Sequence, residues 1–315
     1  MTALPLLLPR LPRGPLALGL FSPSGSVDGA ALERAVTHFE SLGHRVVVSP
    51  VAANAWRYFA GTDEERLVAF HAMLADPSID VMMATRGGYG WTRLLDRIDW
   101  QAVRASGKAF VGFSDFTAFN LAALSQAGLA TFHGPMACID FGSGEPDAYM
   151  EANFWPMLAA PRHEAGAFAC DRAFASREIE GPIWGGNLSL VAHLAGTKWM
   201  PRVEGGILFI EEIGEEPYAV ERLVYQLHHA GLLARQRALL LADFDDCTPK
   251  NPQRYPYSMS EAVESIRELV PIPVLTGMAH GHVARKITVP IGALAKLTIT
   301  DATWSLGFSG YSRER

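Results

Sequence analysis

Read from the N-terminus, apolar positions gather first at Leu16–Ser22 and again at Arg45–Ser49, with Leu32, Ala35, Val36, Phe39 and Leu42 between them at helical spacing. Short apolar or β-branched runs predict strands, and a three-and-four spacing predicts an amphipathic helix, so this segment reads strand, loop, helix, strand. The pattern continues with a helix near 63–75 opened by Thr62, a strand at Asp80–Thr85, a helix near 91–98, a strand at Ala109–Phe113 and a helix near 115–127. Such alternation predicts a parallel sheet covered by helices. Functional loops of such sheets lie at the carboxyl ends of the strands. Three loops qualify: SPSGS (22–26), TRGGYG (85–90) and GFSDFT (112–117).

Between Pro161 and Ala175 the periodicity lapses into Pro, Gly, Ala and mixed charges. That composition predicts a linker over 161–175, between an N-terminal α/β domain (1–160) and a C-terminal domain (176–315). Beyond it the pattern predicts a strand at 177–183, a helix opened by Asn187, a strand at Ile207–Ile213, a helix with Val220, Leu223, Val224 and Leu227 on one face, and a strand at Ala238–Phe244. Further strands are expected at Val274–Thr276, Ile287–Ile291, Ala295–Ile299 and Thr303–Phe308, which makes this half β-rich, α+β or a partly open barrel. Residues 1–14, broken by Pro5, Pro9 and Pro12, read as an irregular tail and not as an export signal.

Composition narrows the function. The 315 residues are 49% hydrophobic and 19% charged, the balance of a soluble globular chain. With 27 Lys+Arg against 33 Asp+Glu the net charge is −6, so no basic field exists to hold a phosphate backbone, and nucleic acid is not expected as a partner. Cys138, Cys170 and Cys247 form no CxxC pair, which argues against a disulfide framework or a thiolate zinc site and for a reducing compartment. No stretch reaches the ~18 apolar residues of a membrane span.

Four segments carry candidate chemistry. Gly112-Phe113-Ser114-Asp115 turns a buried strand into a helix, placing Ser114 Oγ beside unpaired helix N–H groups; the alternative is that Ser114 or Asp115 only caps the helix. Arg86-Gly87-Gly88-Tyr89-Gly90 offers backbone amides to an anion, although neither GxGxxG spacing nor GK[ST] is present; it could equally be a tight turn. A serine nucleophile needs a base. Among the histidines, His133, His280 and His282 fall in loops, and His282 follows a short buried strand; His280 and His282 also form an HxH pair that could bind metal, the weaker option without HExxH or nearby cysteine. Glu211 ends an apolar strand, where a buried acid requires a partner, while Glu212, Glu215 and Glu216 read as solvated loop charge. Strand alternation puts Glu211 and Glu212 on opposite faces.

Taken in order, RGGYG, GFSDFTAFNLAAL, TFHGPM, WGGNLSLV, ILFIEEIGEEPYAVERLVYQLHHAGLL and TGMAHGH…ITVPIGA resemble the LD-carboxypeptidases, the murein tetrapeptide carboxypeptidases of serine peptidase family S66, from about residue 16 to 300. The resemblance implies a Rossmann-like or flavodoxin-like parallel-sheet N-terminal domain, a β-rich, barrel-like C-terminal domain and a Ser-His-Glu triad across their interface. It also implies a cytoplasmic, commonly homodimeric enzyme that releases terminal D-Ala from murein tetrapeptides without metal or organic cofactor. Carried over, Ser114 is the nucleophile, His282 the base and Glu211 the orienting acid. Gly88 and Asp115 amides then serve as oxyanion donors, with Gly87 and Tyr89 as substrate contacts; Arg86 either pairs with the substrate's free carboxylate or forms an interior ion pair that shapes its turn, and Trp184, Gly186 and Asn187 either contact the peptide or only fix the interdomain junction. His280 and His133 depart from the family pattern, leaving His280 a second candidate base. Two alternatives stand beside this reading: a microcin-immunity-type peptidase acting on aminoacyl or peptidyl acyl-sulfamoyl adenylates, and a non-catalytic muropeptide binder.

Overall fold

The structure, a computed structural model, describes residues 5–314. After a short strand β1 (Arg10–Leu11), the chain alternates β2 (Ala17–Phe21), α1 (Gly29–Ser41), β3 (Arg45–Val48), α2 (Asp63–Ala75), β4 (Val81–Ala84), α3 (Trp100–Ala105), β5 (Ala109–Val111), α4 (Phe116–Ala122), β6 (Thr131–His133) and α5 (Ala148–Ala159). Strands β2 to β6 form a parallel sheet in the order β6-β5-β4-β2-β3. Every residue of β2, β4 and β5 is buried, as strands covered by helices on both faces must be. Helix starts follow their caps. Thr62 and Glu65 close a reciprocal capping box on α2, and Asp28 and Asp147 cap α1 and α5. The helix expected near 91–98 is instead two 3-10 turns, Trp91–Arg93 and Leu95–Arg97. Asp99 takes the N–H groups of Gln101 and Ala102, so the regular helix α3 begins only after it.

The second half contains β7 (Arg162–Ala169), β8 (Arg177–Asn187), α6 (Leu188–Leu194), β9 (Gly206–Ile213), α7 (Pro217–His229), β10 (Gln236–Asp245), α8 (Met259–Leu269), β11 (Val274–Leu275), β12 (Val289–Ile291), β13 (Leu294–Ile299), β14 (Thr303–Ser309) and β15 (Arg313–Glu314). Its sheet runs β11-β10-β9-β8-β13-β14-β7, parallel through β8 to β11 and antiparallel in the rest. The order is open, with β11 and β7 at opposite edges, so the β-rich half is a mixed sheet and not a barrel.

Three expectations are corrected by long-range pairing. Residues 162–169 are not linker but the edge strand β7, held to β14 with Ala165 and Phe168 inward. The strand expected over 287–291 is shorter, and as β12 it returns to the first sheet, antiparallel to β6. Residues 5–14 are not a loose tail: Leu7 bridges Leu129, and β1 pairs with β15. The carboxyl ends of β5, β9 and β11 thus meet between the sheets.

Candidate active site

Ser114 sits at the sharp turn from β5 into α4 with φ +60°, a left-handed conformation that costs a non-glycine residue roughly 1–3 kcal/mol. Phe113 and Phe116, both 1% exposed, anchor the turn from either side, while Ser114 itself stays half-buried. Asp115 stands at the N-cap position of α4, but no side chain makes a capping hydrogen bond there. The Asp115 carboxylate instead accepts from Ser24 Oγ at 2.5 Å and from the Trp91 amide at 3.0 Å, tying loops 22–26 and 85–90 beneath the serine. Burial pushes the Asp115 carboxyl above its usual range, opposed by those hydrogen bonds and the nearby Arg66 charge.

From the second sheet, Glu211 ends buried on β9 and His282 follows β11. Ser114 Oγ lies 3.0 Å from His282 Nε2, and His282 Nδ1 lies 2.8 Å from Glu211 Oε2. A carboxylate only accepts, so Nδ1–H donates to Glu211 and leaves Nε2 free to accept the serine proton. Phe113 packs edge-on against the imidazole, ring centroids 5.0 Å apart. The three residues singled out from sequence therefore form one hydrogen-bonded line.

The glycine loop closes over this line. A Cβ on Gly87 would stand 2.7 Å from Ser114 Cβ and 2.9 Å from Oγ, with the Asp115 amide nitrogen 3.4 Å away. Gly87→Ala is accordingly expected to lower kcat/KM about 10²-fold, since displacing a reacting group by about 1 Å costs that much. Steady-state kinetics alongside a thermal melt test this; activity within threefold of wild type at unchanged Tm contradicts it. Gly88 has φ +103° and abuts the Tyr58 hydroxyl, and Tyr89 is exposed beside it. Arg86 donates to the Ser26 carbonyl at 2.9 Å, so part of its guanidinium shapes the turn.

The WGGN segment is not brought to the cleft surface. Trp184 is wholly buried, its indole N–H given to Gln236 Oε1 at 2.8 Å. Gly186 is bare because a Cβ there would meet Thr117 Oγ1 at 2.5 Å and His133 Nε2 at 2.6 Å. Asn187, 3% exposed, caps α6 and gives its side-chain N–H to Glu212. Glu212 is no solvated loop charge either. It is buried on β9 and accepts from Asn187 Nδ2, Ser189 N and Ile213 N. Sequence reading missed this anchor, although the alternation that turned Glu212 away from Glu211 already pointed it at the start of α6.

His280 is not a second base at Ser114. Its Nδ1 lies 2.7 Å from the Ile287 carbonyl and its Nε2 2.7 Å from His133 Nδ1, while His133 Nε2 lies 2.9 Å from Thr117 Oγ1. Only one assignment satisfies every atom: His280 Nδ1–H donates to the carbonyl, His133 Nδ1–H to His280, and the Thr117 hydroxyl to His133 while accepting the Asn187 amide at 3.0 Å. Burial holds both rings neutral, His280 down to about 3 and His133 well below the usual imidazole range. His280 and His282 thus face different partners, and no cluster of three or more His, Cys, Asp or Glu suited to a metal occurs among the described residues.

A strained serine on a strand-to-helix turn, bonded through histidine to a buried glutamate across two sheets, defines a hydrolase-type site. Residues 18–134 match the LD-carboxypeptidase N-terminal domain and residues 180–297 the LD-carboxypeptidase C-terminal domain, so the chain belongs to the LD-carboxypeptidase family, S66. It is 31% identical over 287 residues to the probable murein peptide carboxypeptidase of Bacillus subtilis, covering 91% of this chain and 90% of that protein. The crystal structure of muramoyltetrapeptide carboxypeptidase from Oxalobacter formigenes superposes with a TM-score of 0.88 at 36% identity, covering 94% of this chain and 99% of that one. The Microcin C7 self-immunity protein MccF of Escherichia coli is 28% identical over 334 residues, covering 95% of each chain.

Proposed function

We propose that this protein is a serine LD-carboxypeptidase that releases the terminal D-Ala of murein tetrapeptides. The observation that supports this most is the unbroken line from Ser114 Oγ through His282 to Glu211. In this mechanism Oγ attacks the carbonyl carbon before D-Ala as its proton passes to His282 Nε2. Glu211 holds the imidazole tautomer and balances the imidazolium. The Gly88 and Asp115 amides receive the oxyanion. The C–N bond breaks as His282 returns the proton to the leaving nitrogen. Water, losing a proton to the same Nε2, then opens the acyl ester and restores the serine. Arg86 and Tyr89 line the approach, where the remaining N–H groups of Arg86 pair with the substrate's free carboxylate. No step calls for a metal or organic cofactor.

The three unpaired cysteines suit a reducing cytoplasm, and no described helix is long and apolar enough to cross a membrane. A homodimer in solution belongs to the same proposal, and analytical ultracentrifugation tests it. One observation favours a second reading, cleavage of aminoacyl sulfamoyl adenylates: Trp56, Tyr58 and Tyr89 expose aromatic faces around the glycine loop, where a base could stack.

A mass-spectrometric time course with L-Ala-γ-D-Glu-meso-diaminopimelate-D-Ala and, separately, with an aminoacyl sulfamoyl adenosine separates the two. Loss of one alanine from the tetrapeptide, undiminished by EDTA, is expected. Cleavage of the adenosine compound alone replaces the first reading by the second.

A further inference from the structure

Besides Ser114, Arg57 is a non-glycine residue held in the left-handed region, with φ +55°. Arg57 and Tyr58 are the two-residue tip of a hairpin, closed by Trp56 N–H to the Phe59 carbonyl at 2.8 Å and by Phe59 N–H to the Trp56 carbonyl at 2.9 Å. Arg57 takes the first tip position, where a positive φ ordinarily selects glycine. Its strain persists because the surroundings impose it, and what it fixes is the direction of the next side chain. The hairpin is fastened to the glycine loop through residues 22–26: Ser26 N–H donates to the Tyr58 carbonyl at 3.2 Å, Ala60 N–H to the Ser24 carbonyl at 3.1 Å and Gly25 N–H to the Gly87 carbonyl at 3.2 Å. The Tyr58 ring leans edge-on against Phe59, centroids 5.5 Å apart. Its hydroxyl stands where the Cβ of any L-residue at Gly88 would be. Among the described residues that hydroxyl makes no hydrogen bond, whereas the neighbouring Tyr89 hydroxyl accepts from Arg93. An uncommitted O–H donor thus rests on the glycine loop one residue from Gly87, whose own Cβ position is 2.9 Å from Ser114 Oγ.

We propose that Tyr58 is a further catalytic residue, its phenol O–H donating to the same oxyanion as the Gly88 amide; the inference rests on the peptidase reading above. The side-chain and N–H directions diverge from one residue, so a hydroxyl in the side-chain place stands beside the Gly88 N–H and leaves it open. An anion held by that N–H is then within reach of the phenol, and tyrosine is among the side chains that serve in oxyanion holes. The phenol keeps its proton throughout. It gives a hydrogen bond that strengthens as the carbonyl oxygen becomes negative and weakens again when the C–N bond breaks and the carbonyl re-forms. A contact of this kind is made in the transition state and not in the ground state, so it raises kcat and leaves KM alone.

The test is Tyr58→Phe, which removes one oxygen from a half-exposed ring and keeps its packing on Phe59. With the tetrapeptide L-Ala-γ-D-Glu-meso-diaminopimelate-D-Ala, kcat is expected to fall about 10²-fold, the loss typical of one oxyanion donor, with KM within twofold of wild type and Tm unchanged. A second measurement uses the boronic acid L-Ala-γ-D-Glu-boro-lysine, to which Ser114 Oγ adds as its proton passes to His282, leaving a tetrahedral boronate with no leaving group. Its affinity is expected to fall in Tyr58→Phe by about the same factor as kcat. A kcat within threefold of wild type, or a raised KM at unchanged kcat, overturns the donor role and leaves the peptidase reading intact. Wild type that cleaves no tetrapeptide overturns that reading. The boronate, which needs only the serine to add, then decides Tyr58 separately, and equal affinity for the two proteins, or none for either, overturns its role.

Discussion

Ser114→Ala is expected to lower kcat/KM by at least about 10⁴-fold without loss of stability, because the serine contributes chemistry at a conformational cost. In the proposed mechanism the nucleophile, base and acid act as one unit, and removal of the nucleophile from such a unit leaves only what binding and the oxyanion donors supply. The backbone argument is independent. At φ +60° a Cβ is strained by roughly 1–3 kcal/mol, and glycine at the same position escapes that strain while losing about 0.5–1 kcal/mol through the freer unfolded chain. Ser114→Gly should therefore be inactive and at least as stable as wild type in urea denaturation. Activity of either variant within a hundredfold of wild type sinks the nucleophile assignment. A drop of more than about 1 kcal/mol in the stability of Ser114→Gly would show instead that Ser114 is needed to hold the turn together.

What was legible in the sequence follows from the range of the interactions involved. The first sheet could be read because each parallel strand is followed by its own helix, so the signal is local and repeated. Ser114, Glu211 and His282 could be picked out because each breaks a local pattern: a serine in a tight turn, an acid closing an apolar strand, a histidine after a buried strand. The strand β7 was hidden because its partner β14 lies far along the chain and only Ala165 and Phe168 of its inward face are buried. The destination of β12 was hidden for the same reason, since nothing within Val289–Ile291 says that it pairs with His133 and its neighbours. For Trp184 and Asn187 the sequence leaves peptide contact and junction-fixing equally open, and the structure favours the second: both face inward, where Gln236 and Glu212 complete their hydrogen bonds from other elements. Polar residues at the junction of two sheets look like site residues in a sequence, and only the fold separates those that line the cleft from those that hold its walls.

The same junction makes the protein acid-labile. His133 and His280 are fully buried and neutral, linked to each other and to the Ile287 carbonyl and Thr117, with the charge of Lys286 nearby and itself paired to Asp140. Burial is the larger cause of both lowered pKa values, and the Lys286 and His282 charges act in the same direction. In the unfolded chain each imidazole titrates near 6.5. The native rings stay neutral well below that, so below about pH 6.5 the unfolded state binds protons that the native state refuses. Their contribution is complete above pH 6.5 and is lost as the pH falls toward about 3, the folded value for His280. At pH 5 the loss is about 2 kcal/mol for His280, a large share of the total stability of a domain, and His133 acts in the same direction. His44, His71 and His163, also lowered by burial, add smaller terms of the same sign. Asp115 and Asp243, whose carboxyls are raised by burial, act oppositely, since the native state takes up their protons at pH values above the ordinary carboxylate range. The pair is isolated by a difference in slope: between pH 6 and pH 5 the unfolding free energy of His133→Asn should fall less steeply than that of wild type by up to about one proton, roughly 1.4 kcal/mol per pH unit. Urea titrations at both pH values measure it, and equal slopes in the two proteins would mean that His133 is protonated in the native state and that the neutral chain assigned here is wrong.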